Sequence, residues 1–259
     1  MRTALVCHEE EDLNRIVLPR WLASFSTLAA VVVLRETREQ KQRRVKREIR
    51  RVGWRFLDVL AFRLYYSMFL SGTDRQWEKN KVAELCKRYP EIPETTPVLV
   101  SASPNSARVR EFLLSAAPDL MLARCKFILK EDIFTIPFKG TFVMHPGICP
   151  EYRNAHGCFW GLANDDLERV GMTLLRVDRG VDTGPIFGYY RCRYDERKES
   201  HIVIQLRTVF DNLDELQTQL AKIYDGCVIP INIEGRKSAV WGQPWLTKYL
   251  YWKRAASRR

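Results

Sequence analysis

Two residues whose types could do chemistry, His145 and Asp182, each follow an apolar run in the sequence. Residues 140–144 lead directly into His145, and residues 172–177 lead into a glycine-containing loop that carries Asp182. Strands that end in such loops bring their polar side chains together above one edge of a sheet. A carboxylate beside an imidazole orients the ring and favours its charged form. Such a pair suits proton transfer at a carbonyl centre or at an attacking amine.

The same two residues also fit a structural role. A lone histidine is more often a hydrogen-bonded core residue than a catalyst, and the sequence Asp-Thr-Gly-Pro that begins at Asp182 is typical of a turn. The pair alone therefore leaves both interpretations open, and the surrounding pattern has to decide between them.

The apolar runs elsewhere in the chain predict the sheet that would hold these loops. Four short runs, at residues 2–7, 27–34, 96–101 and 120–123, predict buried strands. Segments with helical periodicity separate them, and this alternation is typical of an α/β fold with a doubly wound sheet. The sequence Gly-x-Gly-x-x-Gly is absent after the first run, so a dinucleotide-binding site is not expected there.

Helical periodicity predicts further elements at residues 13–25, 107–116 and 213–224. Pro19 interrupts the first of these and predicts either a kink or a later start of the helix. Residues 239–252 are aromatic and irregular, and we expect them to wrap a surface groove or to cover a sheet edge.

A long helical insertion, residues 35–90, is predicted after the second strand. It begins with a basic segment, residues 35–55, and continues with the aromatic residues 54–70. A basic face followed by an aromatic stretch is compatible with an interfacial membrane helix. More often such a stretch packs on the protein's own core or on a partner subunit, and a basic face is more often simply solvated. Peripheral contact with a membrane and a homodimer therefore both stay open.

Length and composition set further bounds. The 259 residues suit one large α/β domain, or one domain with a small appendage. The net charge of +11 would attract polyanions such as nucleic acid, nucleotide-linked substrates or anionic lipid. The seven cysteines are scattered without a Cys-x-x-Cys spacing, so neither a metal site nor a disulfide framework is expected. The absence of a long apolar run and of a signal peptide predicts a cytoplasmic protein without a transmembrane segment.

The central stretch resembles the formyltransferase family, which includes the methionyl-tRNA, glycinamide ribonucleotide and sugar N-formyltransferases. The similarity rests on HPGICPEYRNAHGCFW, which begins at His145, and on GMTLLRVDRGVDTGPIF, and it spans residues 136–188. It implies a Rossmann-like formyltransferase domain that transfers a formyl group from 10-formyltetrahydrofolate to an amine. His145 and, 37 residues later, Asp182 match the catalytic histidine and aspartate of that family.

The resemblance also implies binding residues. The loop after His145 supplies candidates for binding the substrate or stabilising an oxyanion, namely Arg153, Asn154 and His156. In this family the loop after the fourth strand contacts the pterin ring of the folate. By position that loop consists of Arg124, Cys125, Lys126, Phe127, Ile128 and Leu129.

One residue departs from the family pattern. The family has a catalytic asparagine two residues before the histidine, where this chain has Val143. A valine cannot donate a hydrogen bond to a developing oxyanion, and losing one such donor costs about a hundredfold or more in rate. Three interpretations follow: a neighbouring donor such as Asn154 substitutes, a protonated His145 stabilises the charge without help, or the chain is a weakened or repurposed member.

The remaining expectations concern the domains and the acceptor. We predict a catalytic domain over residues 1–200 and a C-terminal helix and extension over residues 201–259. This extension is too short for the full tRNA-binding barrel that the resemblance to methionyl-tRNA formyltransferases would require. A small-molecule amine acceptor is therefore favoured, with an amino sugar attached to a nucleotide as one candidate. The alternatives are hydrolysis of 10-formyltetrahydrofolate and a weakened member that binds a ligand or a partner.

Overall fold

The computed structural model describes residues 1–259, except for the side chain of Arg51, and its centre is a seven-stranded mixed sheet. The strands of this sheet are β1 (Arg2–His8), β2 (Thr27–Leu34), β3 (Val98–Ser101), β4 (Leu120–Arg124), β5 (Thr141–His145), β7 (Met172–Arg176) and β8 (Ile186–Tyr190). A separate two-stranded ladder pairs β6 (Arg153–Asn154) with β9 (Val240–Trp241).

The large sheet has the strand order β3-β2-β1-β4-β5-β7-β8. Strands β3 to β5 in this order are parallel to one another, whereas β7 and β8 extend the sheet in antiparallel fashion. Every residue of β2 after Thr27 is buried, as expected for an apolar strand covered on both faces. The predicted α/β fold with a mostly parallel sheet is confirmed.

Helices cover both faces of this sheet. They are α1 (Leu18–Ala23), α2 (Arg38–Val52), α3 (Phe56–Tyr65), α4 (Ser71–Arg88), α5 (Ala107–Ala116), α6 (Glu131–Phe134), α7 (Gly157–Ala163), α8 (His201–Phe210), α9 (Leu213–Tyr224) and α10 (Leu246–Arg258). On one face Trp21 of α1 and Leu216 of α9 share an apolar cluster with Phe142 of β5. On the other face Leu113 of α5 and Ile133 of α6 belong to a second cluster.

The first predicted helix begins later than its apolar pattern suggested. Residues Leu13–Val17 form one π-helical turn, and α1 starts at Leu18 with Pro19 in its first turn. Proline is tolerated there because the first backbone N–H groups of a helix have no partner within that helix. Of the two outcomes predicted for Pro19, the later helix start is the one observed.

Sequence analysis did not predict α8. Its sequence, HIVIQLRTVF, is rich in β-branched residues, which favour strands locally. Two interactions outweigh that preference. The Ser200 hydroxyl accepts hydrogen bonds from the N–H groups of Ile202 and Val203 at the start of the helix, and residues such as Val203 and Ile204 are buried.

The prediction that residues 239–252 are irregular is wrong for their second half. The residues from Leu246 form α10, which packs on α3 and α7 and buries Tyr249 and Trp252. The first half does cover part of the loop after His145, because β9 pairs with β6 there. The predicted boundary at residue 200, between a catalytic domain and a C-terminal extension, stays a prediction. Helix α9 of the extension packs on the central sheet.

The predicted insertion forms α2, α3 and α4, joined by one 3-10 helical turn, Gly53–Arg55, and one π-helical turn, Tyr66–Leu70. The inner side of α3 buries Val59 and Phe62, and the Phe62 ring packs against the rings of Phe159 and Tyr249. This side of the aromatic segment therefore packs on the protein's own core. In the described part of the chain, no helix combines the length and apolar character needed to cross a membrane.

Candidate functional site

His145 and Asp182, which are far apart in sequence, meet at the end of β5. The Nδ1 atom of His145 lies 3.3 Å from a carboxylate oxygen of Asp182, and the His145 side chain is only 3% exposed. The other ring nitrogen, Nε2, lies 2.8 Å from the backbone carbonyl oxygen of Tyr152. Both ring nitrogens thus face oxygen acceptors. A ring nitrogen that carries a proton can donate to such an oxygen.

The Tyr152 carbonyl reaches the histidine because two glycines lie against each other. A Cβ atom on Gly147 would lie 2.5 Å from the Tyr152 oxygen and 2.8 Å from the Gly157 Cα atom. A Cβ atom on Gly157 would lie 2.5 Å from the Gly147 Cα atom. Neither position can hold a side chain without moving the backbone, so the path of this loop depends on both glycines.

The loop that carries Asp182 is held by its own hydrogen bonds. The Asp178 carboxylate accepts from the Gly180 N–H and from the Thr183 hydroxyl. Asp182 itself adopts the left-handed conformation, with φ of 52°. Its carboxylate accepts a 2.8 Å hydrogen bond from the Asn154 N–H in addition to facing His145. The carboxylate is therefore fixed between the two loops predicted to form the site.

The three candidates after His145 have different surroundings. The Arg153 guanidinium donates to the Val181 carbonyl at 3.1 Å, beside Asp182. The Asn154 side-chain amide donates to the Trp241 carbonyl of β9, so it is bound away from the histidine. His156 adopts the left-handed conformation before α7, and its buried Nδ1 atom finds no hydrogen-bond partner among the described residues.

The loop predicted to contact folate lies next to the His145 loop, since β4 and β5 are parallel neighbours and Ala123 pairs with Val143. Two residues that sequence analysis missed hold this loop. The His8 Nε2 atom accepts from the Lys126 N–H at 2.9 Å. The Asn105 side chain donates to the Ile128 carbonyl at 2.9 Å.

The six residues of that loop differ in exposure. Leu129 is buried, whereas the Ile128 side chain is largely exposed. The Phe127 ring stacks on the His8 ring, and the Cys125 thiol lies 3.5 Å from the Phe127 carbonyl. With the Lys126 N–H and the Ile128 carbonyl already bonded within the protein, a pterin would have to use other backbone groups of the loop.

Arg124 is a half-buried cation beside β5. Its guanidinium donates to the Met144 carbonyl at 2.5 Å and to the Asn14 side-chain oxygen at 3.3 Å. Burial lowers the pKa of Arg124, and the Glu11 carboxylate opposes that shift. Val143, by contrast, is half-buried and packs against the apolar cluster of the second face. The position that lacks a donor thus lies on the strand that the Arg124 guanidinium contacts.

Two cavities adjoin these residues. The first, of about 160 Å³, is lined by Asp182, Thr183, Arg153, Arg236 and Ser238, among others. The Arg236 guanidinium at this cavity is paired in a bidentate manner with Glu151 at 2.6 and 2.9 Å. We call this space the Asp182 cavity.

The second space, which we call the His156 cavity, has a volume of about 280 Å³. Its lining includes His156, His201, Phe62, Tyr66 and Gln243. Burial lowers the pKa of His156 to about 4 and places the pKa of His201 well below its ordinary value. Both imidazoles are therefore neutral, and the His201 Nδ1 atom also finds no hydrogen-bond partner within the described residues.

The sequence contained a partial signal for the residues it did not identify. His8 ends β1 just as His145 ends β5, and polar residues at strand ends mark the functional edge of such sheets. Asn105 and His201 gave no comparable signal, because their roles depend on contacts with distant segments.

Comparison with known proteins identifies the family of the chain. A family model described as formyl transferase matches residues 69–212, more than half of the chain. The methionyl-tRNA formyltransferase of Thermotoga sp. (strain RQ2) is 31% identical over 152 residues, which are 58% of this chain and 44% of that protein. The bifunctional polymyxin resistance protein ArnA of Wigglesworthia glossinidia brevipalpis is 28% identical over 154 residues, 59% of this chain and 23% of that protein. The chain thus spans less than half the length of these relatives.

Solved structures share the fold at low sequence identity. A phosphoribosylglycinamide formyltransferase from Anaplasma phagocytophilum superposes with a TM-score of 0.56 at 12% identity, covering 93% of this chain and 97% of that one. A sugar N-formyltransferase from Shewanella sp. FDAARGOS_354 superposes with a TM-score of 0.54 at 13% identity, covering 93% of this chain and 76% of that one. At these identities the likeness establishes the fold alone.

The buried histidines predict a pH-dependent stability. Burial also lowers the pKa of His8, with a further contribution from Lys126, so three histidines have folded-state pKa values below 6.5. As the pH falls below 6.5, the unfolded chain binds protons that the folded chain does not. Each such histidine then costs about 1.4 kcal/mol of unfolding free energy per pH unit until its folded pKa is reached. Stability should therefore be higher at pH 7.5 than at pH 5.5 in urea unfolding experiments.

The variant His201→Phe is a matched test of this effect. His201 lies among the rings of Phe62, Phe159 and Tyr249, so a phenylalanine suits the site. In this variant the free energy of unfolding should differ between pH 7.5 and pH 5.5 by about 1.4 kcal/mol less than it does in the wild type. An unchanged pH slope would contradict the assignment of His201 as a neutral buried histidine.

Proposed function

The chain belongs to the formyl transferase family, and from that we propose that it transfers a formyl group from 10-formyltetrahydrofolate to the amine of a small acceptor. The observation that carries the proposal is the 3.3 Å contact between His145 Nδ1 and the Asp182 carboxylate at the end of β5. The pair has the chemistry that formyl transfer requires, namely a charge to stabilise an oxyanion and an acceptor for the amine proton.

In the proposed reaction, a bond forms between the acceptor nitrogen and the formyl carbon, and the bond from that carbon to N10 of the donor breaks. The attacking amine loses a proton and N10 gains one. Asp182 is suited to receive the amine proton, because its carboxylate borders the Asp182 cavity. His145 is suited to balance the negative charge on the formyl oxygen once its N–H exchanges the Tyr152 carbonyl for the substrate.

Charge stabilisation without an amide at Val143 is the unusual part of this proposal. Asn154 is a weak substitute, because its side-chain amide is bound to the Trp241 carbonyl. Arg124 is a better one, since its guanidinium contacts the backbone of Met144, directly before His145. We propose that the His145 cation, with the Arg124 charge behind it, takes over the role of the missing asparagine. A cation in a poorly solvated site interacts more strongly with an oxyanion than the same charge in water.

The donor fits the loop Arg124 to Leu129 by position. Backbone groups beside β5 would hold its pterin ring and set the formyl carbon near His145, and the donor supplies the activated one-carbon unit. The exposed Ile128 side chain offers apolar contact to a flat ring. His8 and Asn105 would act as positioning residues, because they fix the loop through Lys126 and Ile128.

For the acceptor we propose a small molecule with an anionic part, such as a nucleotide-linked amino sugar. The Asp182 cavity places the Arg153 guanidinium close to the proposed base, whereas Arg236 is already paired with Glu151. Guanidinium groups bind phosphate oxygens through directed hydrogen bonds. The Arg153 Nε atom, although buried, has no hydrogen-bond partner among the described residues. The His156 cavity is a second space for an acceptor ring, with His156 as a substrate-loop residue.

Val143 supports a second candidate function. A chain without the asparagine could bind a folate or a partner while turning over weakly, or it could pass the formyl group to water. Release of formate from 10-formyltetrahydrofolate in the absence of any amine would favour hydrolysis. Amine-dependent consumption of the donor would favour transfer.

Substitution of the pair tests the leading proposal. His145→Ala and Asp182→Asn should each lower formyl transfer by about a hundredfold to ten-thousandfold, because each removes one partner of the acid/base pair. Asp182→Asn keeps an oxygen that can accept from the Asn154 N–H, so the loop should stay in place. The rate of amine-dependent conversion of 10-formyltetrahydrofolate is the measurement, and thermal unfolding of each variant checks the fold. Full activity in either folded variant would refute the proposed roles.

Restoring the missing amide tests the charge arrangement. Since Val143 packs against an apolar cluster and the site is proposed to have another source of charge, Val143→Asn should lower turnover or leave it within about a few-fold of wild type. Val143→Ala serves as the control for lost packing. Turnover that appears only in Val143→Asn, with none in the wild type, would instead identify a weakened family member.

A further inference from the structure

One helix of the insertion exposes an apolar stripe to solvent. Trp54, Leu57, Leu60, Leu64 and Met68 follow one another at spacings of three or four residues, so they share one side of α3 and its adjoining turns. All are exposed, with Trp54 at 81% and Leu57 at 70%. We call these five residues the α3 stripe. A contiguous exposed patch of this kind marks an interaction surface.

The opposite side of the same helix is already covered. Val59 and Phe62 are buried, and the Phe62 ring packs on Phe159 and Tyr249. The helix is therefore apolar on both sides although only one side has a partner within the chain. The core does not account for the α3 stripe.

A strongly basic segment adjoins the stripe. Residues 38–55 contain nine lysines and arginines against two glutamates, a net charge of +7. The Arg63 guanidinium on α3 pairs with Glu48 on α2 at 2.6 Å, so the two helices are linked. On its other flank, α3 is linked to α10 by hydrogen bonds from Thr247 to the Asp58 carboxylate. The stripe and the basic segment are thus neighbours on the body of the protein.

We propose that this surface docks on an anionic lipid bilayer. The leucines and Trp54 would enter the headgroup region, and the arginines and lysines of α2 would contact lipid phosphates, which is the binding mode of interfacial helices. A second copy of the chain is a poorer occupant. A two-fold interface would place this face against itself and bring two segments of charge +7 together. RNA would pair with the charge but would leave the leucines unused.

Flotation of the full chain with vesicles tests this docking. The chain should float with vesicles of phosphatidylcholine mixed with phosphatidylglycerol, and much less with vesicles of phosphatidylcholine alone. Leu57→Glu with Leu64→Glu, and separately Arg47→Gln with Arg50→Gln, should each weaken binding to the anionic vesicles by about ten-fold or more. Salt at about 1 M should weaken the binding of the wild type, because it screens the charges.

Matched controls separate this surface from general effects. Ile229 is 87% exposed outside the α3 stripe, and Ile229→Glu should leave vesicle binding unchanged. Arg108→Gln with Arg110→Gln removes two exposed charges on α5 and should have little effect. Failure of the wild type to float with anionic vesicles would overturn the proposal. The proposal would also be overturned if Leu57→Glu with Leu64→Glu converted a dimer to a monomer in sedimentation without changing vesicle binding. It would likewise be overturned if the chain bound single-stranded RNA but not vesicles.

Discussion

The site depends on the close approach of two glycines, Gly147 and Gly157, beneath the His145 ring. A side chain on either would collide with the backbone of the other, and only this approach brings the Tyr152 carbonyl to His145. Asp182 then closes the other side of the ring, where it also binds the Asn154 N–H. The imidazole is thereby fixed between two oxygen acceptors in a nearly dry environment, where charge is stabilised by preorganised groups rather than by water.

Elements defined by local patterns were the ones that the sequence predicted well. The β-branched run of β2 and the Ser106-capped helix α5 have the predicted bounds, because burial on both faces and a good N-cap act within a few residues. Helix α8 was missed since its local preference is for a strand, and its Ser200 cap and buried side overrule that preference. Helix α10 was missed because its aromatic residues resemble an irregular cover until α3 and α7 provide the surfaces on which they pack.

The candidate site was also only partly predictable from the sequence. His145 and Asp182 were accessible to sequence reasoning because each ends an apolar run and matches a family motif. The contacts that hold the neighbouring loop Arg124 to Leu129 were not, since they join residues more than a hundred positions apart. The bond from Lys126 to His8 and the bond from Arg124 to Asn14 are of this kind. Asn154, a predicted substitute for the missing amide, is instead bound to Trp241, and that carbonyl comes from the end of the chain that was expected to be irregular.

The central claim is that His145 and Asp182 act as one catalytic unit. A double-mutant cycle tests it most directly, with formyl-transfer rates measured for His145→Ala, Asp182→Ala and the combined variant. Residues that act as a unit lose nearly all of their effect when either is removed, so the combined variant should be about as slow as the slower single variant. Losses that multiply in the combined variant would mean that the two residues act independently, and would contradict the account.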